Sequence, residues 1–224
     1  MNAVMVIARL TWMRLVRGRA IWLVLVLLCL PIGAAWLVRA VGRDWSSVEW
    51  LAHVTLVSAA ILLSGAVGEE LENKTHTYLW ARPISRDALI LGKFVAIVPA
   101  LLLASLATTA AAYLIAGEAG WQMLRTLASH ALAGLAASAV SVAVGALFPK
   151  HPLVVAVGYL LAADSIMYFL PASLRQLSIL THADALANGE APGQAAVALF
   201  LHTAFWLGLA IWRVRTAEYA EVDR

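Results

Sequence analysis

Residues 94–116 read FVAIVPALLLASLATTAAAYLIA, twenty-three positions without a charge. A helix that crosses a bilayer needs roughly 20 mostly apolar residues. This run therefore decides the fold class: an all-α membrane protein. Five further runs of similar character surround it, at about 20–38, 50–68, 126–147, 152–170 and 195–212. Six crossings use up most of the 224 residues, and no soluble domain of useful size remains in them. Composition agrees, with 62% of residues hydrophobic and 13% charged, against roughly 45–50% and 25% in soluble domains. Pro31 and Pro99 lie inside runs, which membrane helices tolerate because neighbouring groups satisfy the freed carbonyls.

The net charge of +3 is small, and position carries the information. Arg9, Arg14, Arg17, Arg19, Lys74, Arg82, Arg86, Lys93, Lys150, Arg213, Arg215 and Arg224 fall on one side of the alternating runs. Arg39, Arg43, Arg125 and Arg175 fall on the other; together they are the sixteen basic residues of the chain. The richer side is expected to be cytoplasmic, and six crossings return both termini there. Trp22 and Trp36 bracket the first run, about 21 Å apart along a helix. Trp45, Trp50, Trp121 and Trp212 also sit near run boundaries, as an aromatic belt requires. The single cysteine, Cys29, is expected to be a buried thiol.

Ahead of the first run, residues 1–19 contain a separate amphipathic helix. Over 2–17, Val4, Met5, Ala8, Trp12, Leu15 and Val16 share one arc at 100° per residue, while Arg9, Arg14 and Arg17 lie opposite. That pattern suits an interfacial helix on the cytoplasmic leaflet, with Gly18 as break point; the alternative is an extension of the first crossing. The first run is long and lacks an A-x-A pattern after it, so a cleaved signal is not expected.

The densest polar cluster follows the second run: Glu69, Glu70, Glu72, Asn73, Lys74, Thr75, His76, Thr77, Tyr78, Arg82, Ser85, Arg86 and Asp87. Nothing breaks a helix from Glu69 to Ala81. Pro83 then holds Arg82 extended, and Ser85 stands where a helix N-cap would, with Asp87 in the first turn. The segment 69–93 thus reads as helix, proline break, capped helix, third crossing. Two accounts fit it: a docking segment for another protein, or an ordinary solvated loop. A second polar stretch, 171–194, is too long for a turn and has room for one or two short helices on or in the outer leaflet.

The run GEELENKTHTYLWARPISRDALILGK, residues 68–93, resembles the signature of ABC-2 type permeases, the membrane subunits of a class of ATP-binding-cassette transporters. The matching positions are Glu69, Glu70, Thr75, Leu79, Pro83, Ser85, Arg86, Gly92 and Lys93; Thr75-His76-Thr77 stands where the family often has Gly-Thr. The resemblance extends to the layout of the whole chain. It implies a permease subunit, an exporter by expectation, whose 69–93 segment couples to a separate ATPase. Glu72, Thr75, His76, Tyr78, Leu79, Trp80, Arg82, Pro83, Ser85 and Arg86 would make that contact. This chain has no Gly-x-x-x-x-Gly-Lys-Ser/Thr loop, so ATP and Mg would be bound by the partner and no cofactor by this chain. Two ATPase copies and a second permease, in a homodimer or heterodimer, are implied, in the inner membrane of a prokaryote; nucleic acid is not an expected partner.

Glu69 or Glu70 is expected to pair with Lys93, Arg14 or Arg17, because an unpaired carboxylate at this depth is costly. Asp164, His53, His130 and His202 lie toward the outer ends of their runs. They could line a substrate path, relay protons or hold a metal, or they could lie near headgroups and hydrogen-bond neighbouring helices. Gly134, Ala137, Ser138, Ser141 and Gly145 recur at helical spacing in the fourth run, which suits close helix packing rather than a pore. Two other functions compete. One is an intramembrane enzyme such as a CAAX-type protease, although its Glu-Glu is followed by arginine three residues on, and Lys74 sits at a different offset. The other is a non-transporting assembly subunit. No Gly-x-Ser-x-Gly or His-Glu-x-x-His motif is present.

Overall fold

A computed structural model describes residues 3–43, 54–72 and 85–216. Nine helices and no strand occur among the described residues. They are α1 (Ala3–Arg17), α2 (Arg19–Val41), α3 (Val54–Ala59, a π-helical stretch Ala60–Ser64, then Gly65–Glu72), α4 (Arg86–Ala116) and α5 (Trp121–Leu147). After these come α6 (Pro152–Phe169, with a π-helical stretch Tyr159–Ala163), α7 (Ala172–Arg175), α8 (Ile179–Asn188) and α9 (Pro192–Thr216).

Five of these, α2, α4, α5, α6 and α9, are long and apolar enough to cross a membrane. The run expected at 50–68 begins among residues outside the described set, and its apolar described part, Leu56–Gly68, is shorter. The chain is accordingly an integral multi-pass membrane protein. Helix α4 starts eight residues before the expected third crossing. The expected capped helix and that crossing are one continuous helix, since only Gly92 interrupts the good helix formers between them. Ser85 does occupy the N-cap position, but its side chain makes no capping bond; only its carbonyl accepts, from Ala88 N at 2.9 Å.

Helix α5 is the axis of the bundle. Its face from Ala133 to Ala146 is almost wholly buried, and α3, α4, α8 and α9 surround it. Small side chains make this possible. A Cβ added at Gly145 would lie 2.6 Å from the Ser64 carbonyl oxygen, inside the π-helical stretch of α3. Ser138 and Ser141 donate their hydroxyls to the carbonyls of Gly134 and Ala137, at 2.6 and 2.7 Å, so neither hydroxyl is stranded in the dry interior. Large apolar side chains point the other way. Leu23, Val26, Leu37, Ile166, Phe200 and Phe205 are all exposed, as are Trp22 and Trp36 at 69% and 68%. In lipid such exposure is favourable rather than costly. Cys29 belongs to the same surface: it is exposed, not the buried thiol expected, because only the Val24, Leu28, Pro31, Ala35 and Val38 stripe of α2 turns inward.

Gly18 separates α1 from α2 with an extended backbone, φ −80° and ψ 152°. Helix α1 folds back on the start of α4. Ile7 is buried there, and a Cβ on Gly92 would sit 2.8 Å from the Ile7 side chain. The apolar arc read from the sequence is therefore split. Ala8 is buried and Leu15 packs on the core, whereas Met5, Trp12 and Val16 remain exposed.

Candidate functional site

Two polar regions lie at opposite ends of the bundle. At one end the starts of α2 and α4, the end of α3, the α5–α6 turn and the end of α9 come together. Arg215 of α9 grips Asp87 of α4 with two parallel bonds, Nε to Oδ1 at 2.7 Å and Nη2 to Oδ2. Arg86 Nη1 returns a bond to the Arg215 carbonyl at 3.0 Å. The fork geometry of arginine on a carboxylate fixes orientation as well as distance. About two turns further on, Lys93 is buried at 2% exposure, and its ammonium donates to the Ala66 carbonyl of α3. A buried ammonium needs such acceptors. Gly68 then passes so near Pro152 that a Cβ would be 2.5 Å from the proline ring. The helices that lead into and out of the 73–84 stretch are thus tied to each other, to α6 and to α9.

Of the residues expected to contact an ATPase, Ser85 is exposed and Arg86 half-buried at this end. Thr75, His76, Tyr78, Leu79, Trp80, Arg82 and Pro83 lie outside the described residues, as does His53. Glu72 is the last described residue of α3. The side chains of Glu69, Glu70 and Glu72 are likewise outside the described set. Of the expected carboxylate pairing, only the basic candidates are described: Arg14 and Arg17 are exposed, and Lys93 donates to the Ala66 carbonyl, one turn before Glu70.

At the other end Asp164 is fully buried, immediately after the π-helical stretch of α6. Its carboxylate accepts from Ile179 N at 2.7 Å, Leu180 N at 3.0 Å and Ser178 Oγ at 3.3 Å. Ser178 Oγ in turn accepts from Thr181 N at 3.2 Å. Together they cap the start of α8, where the first amides of a helix lack internal partners. The carboxylate is committed to this cap. His202 of α9 bridges to the same turn, with Nδ1 2.9 Å from the Ala198 carbonyl and Nε2 3.0 Å from that of Leu177. His182 lies beside it, ring centroids 5.8 Å apart, with Nε2 3.0 Å from the Gln176 carbonyl. His130, 6% exposed, bonds the Thr126 carbonyl of its own helix at 2.7 Å. Two of the four expected residues, Asp164 and His202, meet around the 176–179 turn. Among the described residues no three His, Cys, Asp or Glu side chains form a metal-binding shell.

Sequence reasoning missed three contributors. Arg215 counted only as a topological charge, and its partner, 128 positions away, had no local signal. His182 and Ser178 were absorbed into a stretch read as polar, although a serine directly before the apolar Ile179 and Leu180 is a helix-start signature. Helix α8 is held along its length as well: Ser129 Oγ donates to the Ala183 carbonyl at 2.6 Å, and Tyr168 Oη to Asp184 at 3.1 Å.

Among curated proteins no match was found. Residues 10–163, more than two thirds of the chain, match a family described as ABC-2 family transporter protein. The match spans α2 to α5 and most of α6, and includes the flanks tied together at Lys93. On that span and this all-helical bundle, the chain belongs to the ABC-2 family of transporter proteins, as the membrane permease component of an ABC transporter.

Proposed function

We propose that this chain is the permease half of an ABC exporter. It crosses the inner membrane of a prokaryote six times, with both termini in the cytoplasm and α1 lying in the inner interface. Two permeases, identical or different, work with two ATPase subunits that bind ATP and Mg. The observation that carries this reading is the set of ties at the basic end. Arg215, Asp87 and Arg86 join α4 to α9, and Lys93 joins α4 to α3. A push on the 69–93 segment would therefore reach three helices at once instead of dissipating in a loop.

Tyr78, Leu79 and Trp80 would be the anchors in the ATPase groove, each worth about 2 kcal/mol or more if central, with Arg82 and Arg86 orienting the contact. The test is Leu79→Ala combined with Tyr78→Asp. We expect loss of ATPase co-purification, or ATP hydrolysis without transport, while the membrane domain stays inserted. Wild-type transport with full ATPase association would place the docking surface elsewhere.

A further inference from the structure

An open cleft of about 1030 Å³ lies between α1, the start of α2, α3 and α4. Its walls are mixed in a particular way. Ile7, Leu10, Ile61, Leu62 and Ile97 supply apolar surface, while Arg14, Arg17, Arg19 and Lys93 bring four cationic side chains to the same space. Lys93 and Arg14 have contacts of their own, and Lys93 forms part of the floor. Arg17 and Arg19 are different: both are exposed, flank the Gly18 break, and form no ion pair among the described residues. Trp22, one turn beyond Arg19, is exposed at 69%, the placement of an interface residue. Met5, Trp12 and Val16 continue an apolar surface along α1 away from the cleft.

We propose that this cleft binds an anionic phospholipid of the cytoplasmic leaflet, with its phosphate between Arg17 and Arg19 and an acyl chain against Ile61, Leu62 and Ile97. The leaflet assignment rests on the topology proposed above. Charge complementarity selects the occupant. A purely apolar groove would accept any lipid tail and a purely basic patch any anion, whereas basic rims over apolar walls between membrane helices fit an anionic amphiphile. A peptide partner would fit less well, because the apolar walls Ile61, Leu62 and Ile97 belong to membrane helices and offer a peptide backbone no hydrogen-bonding groups. The bound lipid would wedge between α1 and α3 and hold α1 against α4, next to the helices that lead into the coupling segment.

The experiment uses the purified full chain, exchanged into nanodiscs of phosphatidylcholine doped with phosphatidylglycerol and read by native mass spectrometry of retained lipid. We expect retained phosphatidylglycerol over phosphatidylcholine. Arg17→Gln with Arg19→Gln should weaken that preference roughly twenty-five-fold at low ionic strength, at about a factor of five per arginine near a charged headgroup. Arg39→Gln with Arg43→Gln, a charge-matched change at the opposite end of α2, should leave it intact. Ala20→Trp keeps every charge but fills the exposed wall of the cleft, and should also lower retention. Equal retention of both lipids, no effect of the double arginine variant, or full retention in Ala20→Trp would overturn the proposal. Displacement of the lipid by millimolar inorganic phosphate alone would reduce it to a plain anion site. Because lipid retention by the purified chain does not depend on orientation, failure here is distinct from a topology error. The latter is read by impermeant thiol labelling of a cysteine placed at position 76.

Discussion

Gly145 of α5 and Gly33 of α2 are both glycines in the middle of long apolar helices, yet they stand in opposite surroundings. A Cβ on Gly145 would collide with the Ser64 backbone at 2.6 Å, whereas a Cβ on Gly33 would meet nothing within 4 Å. The helices differ in the same way. In its most apolar window α5 is 78% buried and α2 only 28%, although α2 is the more hydrophobic of the two. In water the more apolar helix would be the inner one. In a bilayer, apolar surface gains nothing by leaving lipid, so close approach and hydrogen bonding decide what is central. On α5, alanine, glycine, serine and valine therefore form the axis, while most leucines and both tryptophans of α2 face the rim.

The strongest way to break this comparison is to enlarge the small side. Gly145→Leu should cost about 3 kcal/mol, the upper range for overpacking, because the opposing atom is backbone and cannot rotate away. Unfolding in mixed detergent micelles would read it. A variant as stable as wild type would mean that α3 and α5 do not pack as described.

Asp164→Ala comes next, at about 2–3 kcal/mol, since it strips three acceptor bonds from the buried start of α8. Asp164→Asn, which keeps one acceptor oxygen, should recover part of this. Hydrogen exchange at residues 178–182 should rise in step with the loss. Unchanged protection there would show that Asp164 does not hold α8, and would return it to the substrate-path reading.

Asp87→Asn should change stability very little, because the Arg215 side chain is 63% exposed and such pairs are largely offset by solvent. Its effect belongs in transport coupled to ATP hydrolysis, and Arg215→Gln should have the same phenotype without adding to it. Additive losses would show that the two residues act separately. The smallest effect is expected from Gly33→Leu, which adds surface facing lipid on a helix where glycine is a poor choice. A stability equal to or slightly above wild type sharpens the contrast with Gly145; a large loss would place a second copy of this chain, or another protein, against that face of α2.

Five of the six expected crossings were legible because each is a local property, a run of apolar residues of sufficient length, and the small-residue repeat of α5 announced close packing for the same reason. The ends of the helices were less legible. Helix α4 joins the expected capped helix to the third crossing without a break, because only Gly92 interrupts the helix formers between Arg86 and Phe94. The two π-helical stretches left no mark in the sequence, as one extra residue per turn is bought by packing and not by propensity. At the candidate sites Asp164 stood out as an ionisable group inside an apolar run, and Lys93 as one at the edge of another. Their partners did not, because Ile179, Leu180 and Ala66 contribute backbone atoms, which every residue has.

By itself the sequence determined that lipid is the solvent and where five apolar runs are long enough to cross it. Each follows from composition summed over neighbours along the chain. Only the tertiary structure decided which helix is central, that Cys29 faces outward, that Asp164 serves a cap, and that four cations converge on one apolar cleft. Those outcomes depend on which surfaces meet, and in a membrane the meeting is governed by shape and hydrogen bonding, to which hydropathy is blind.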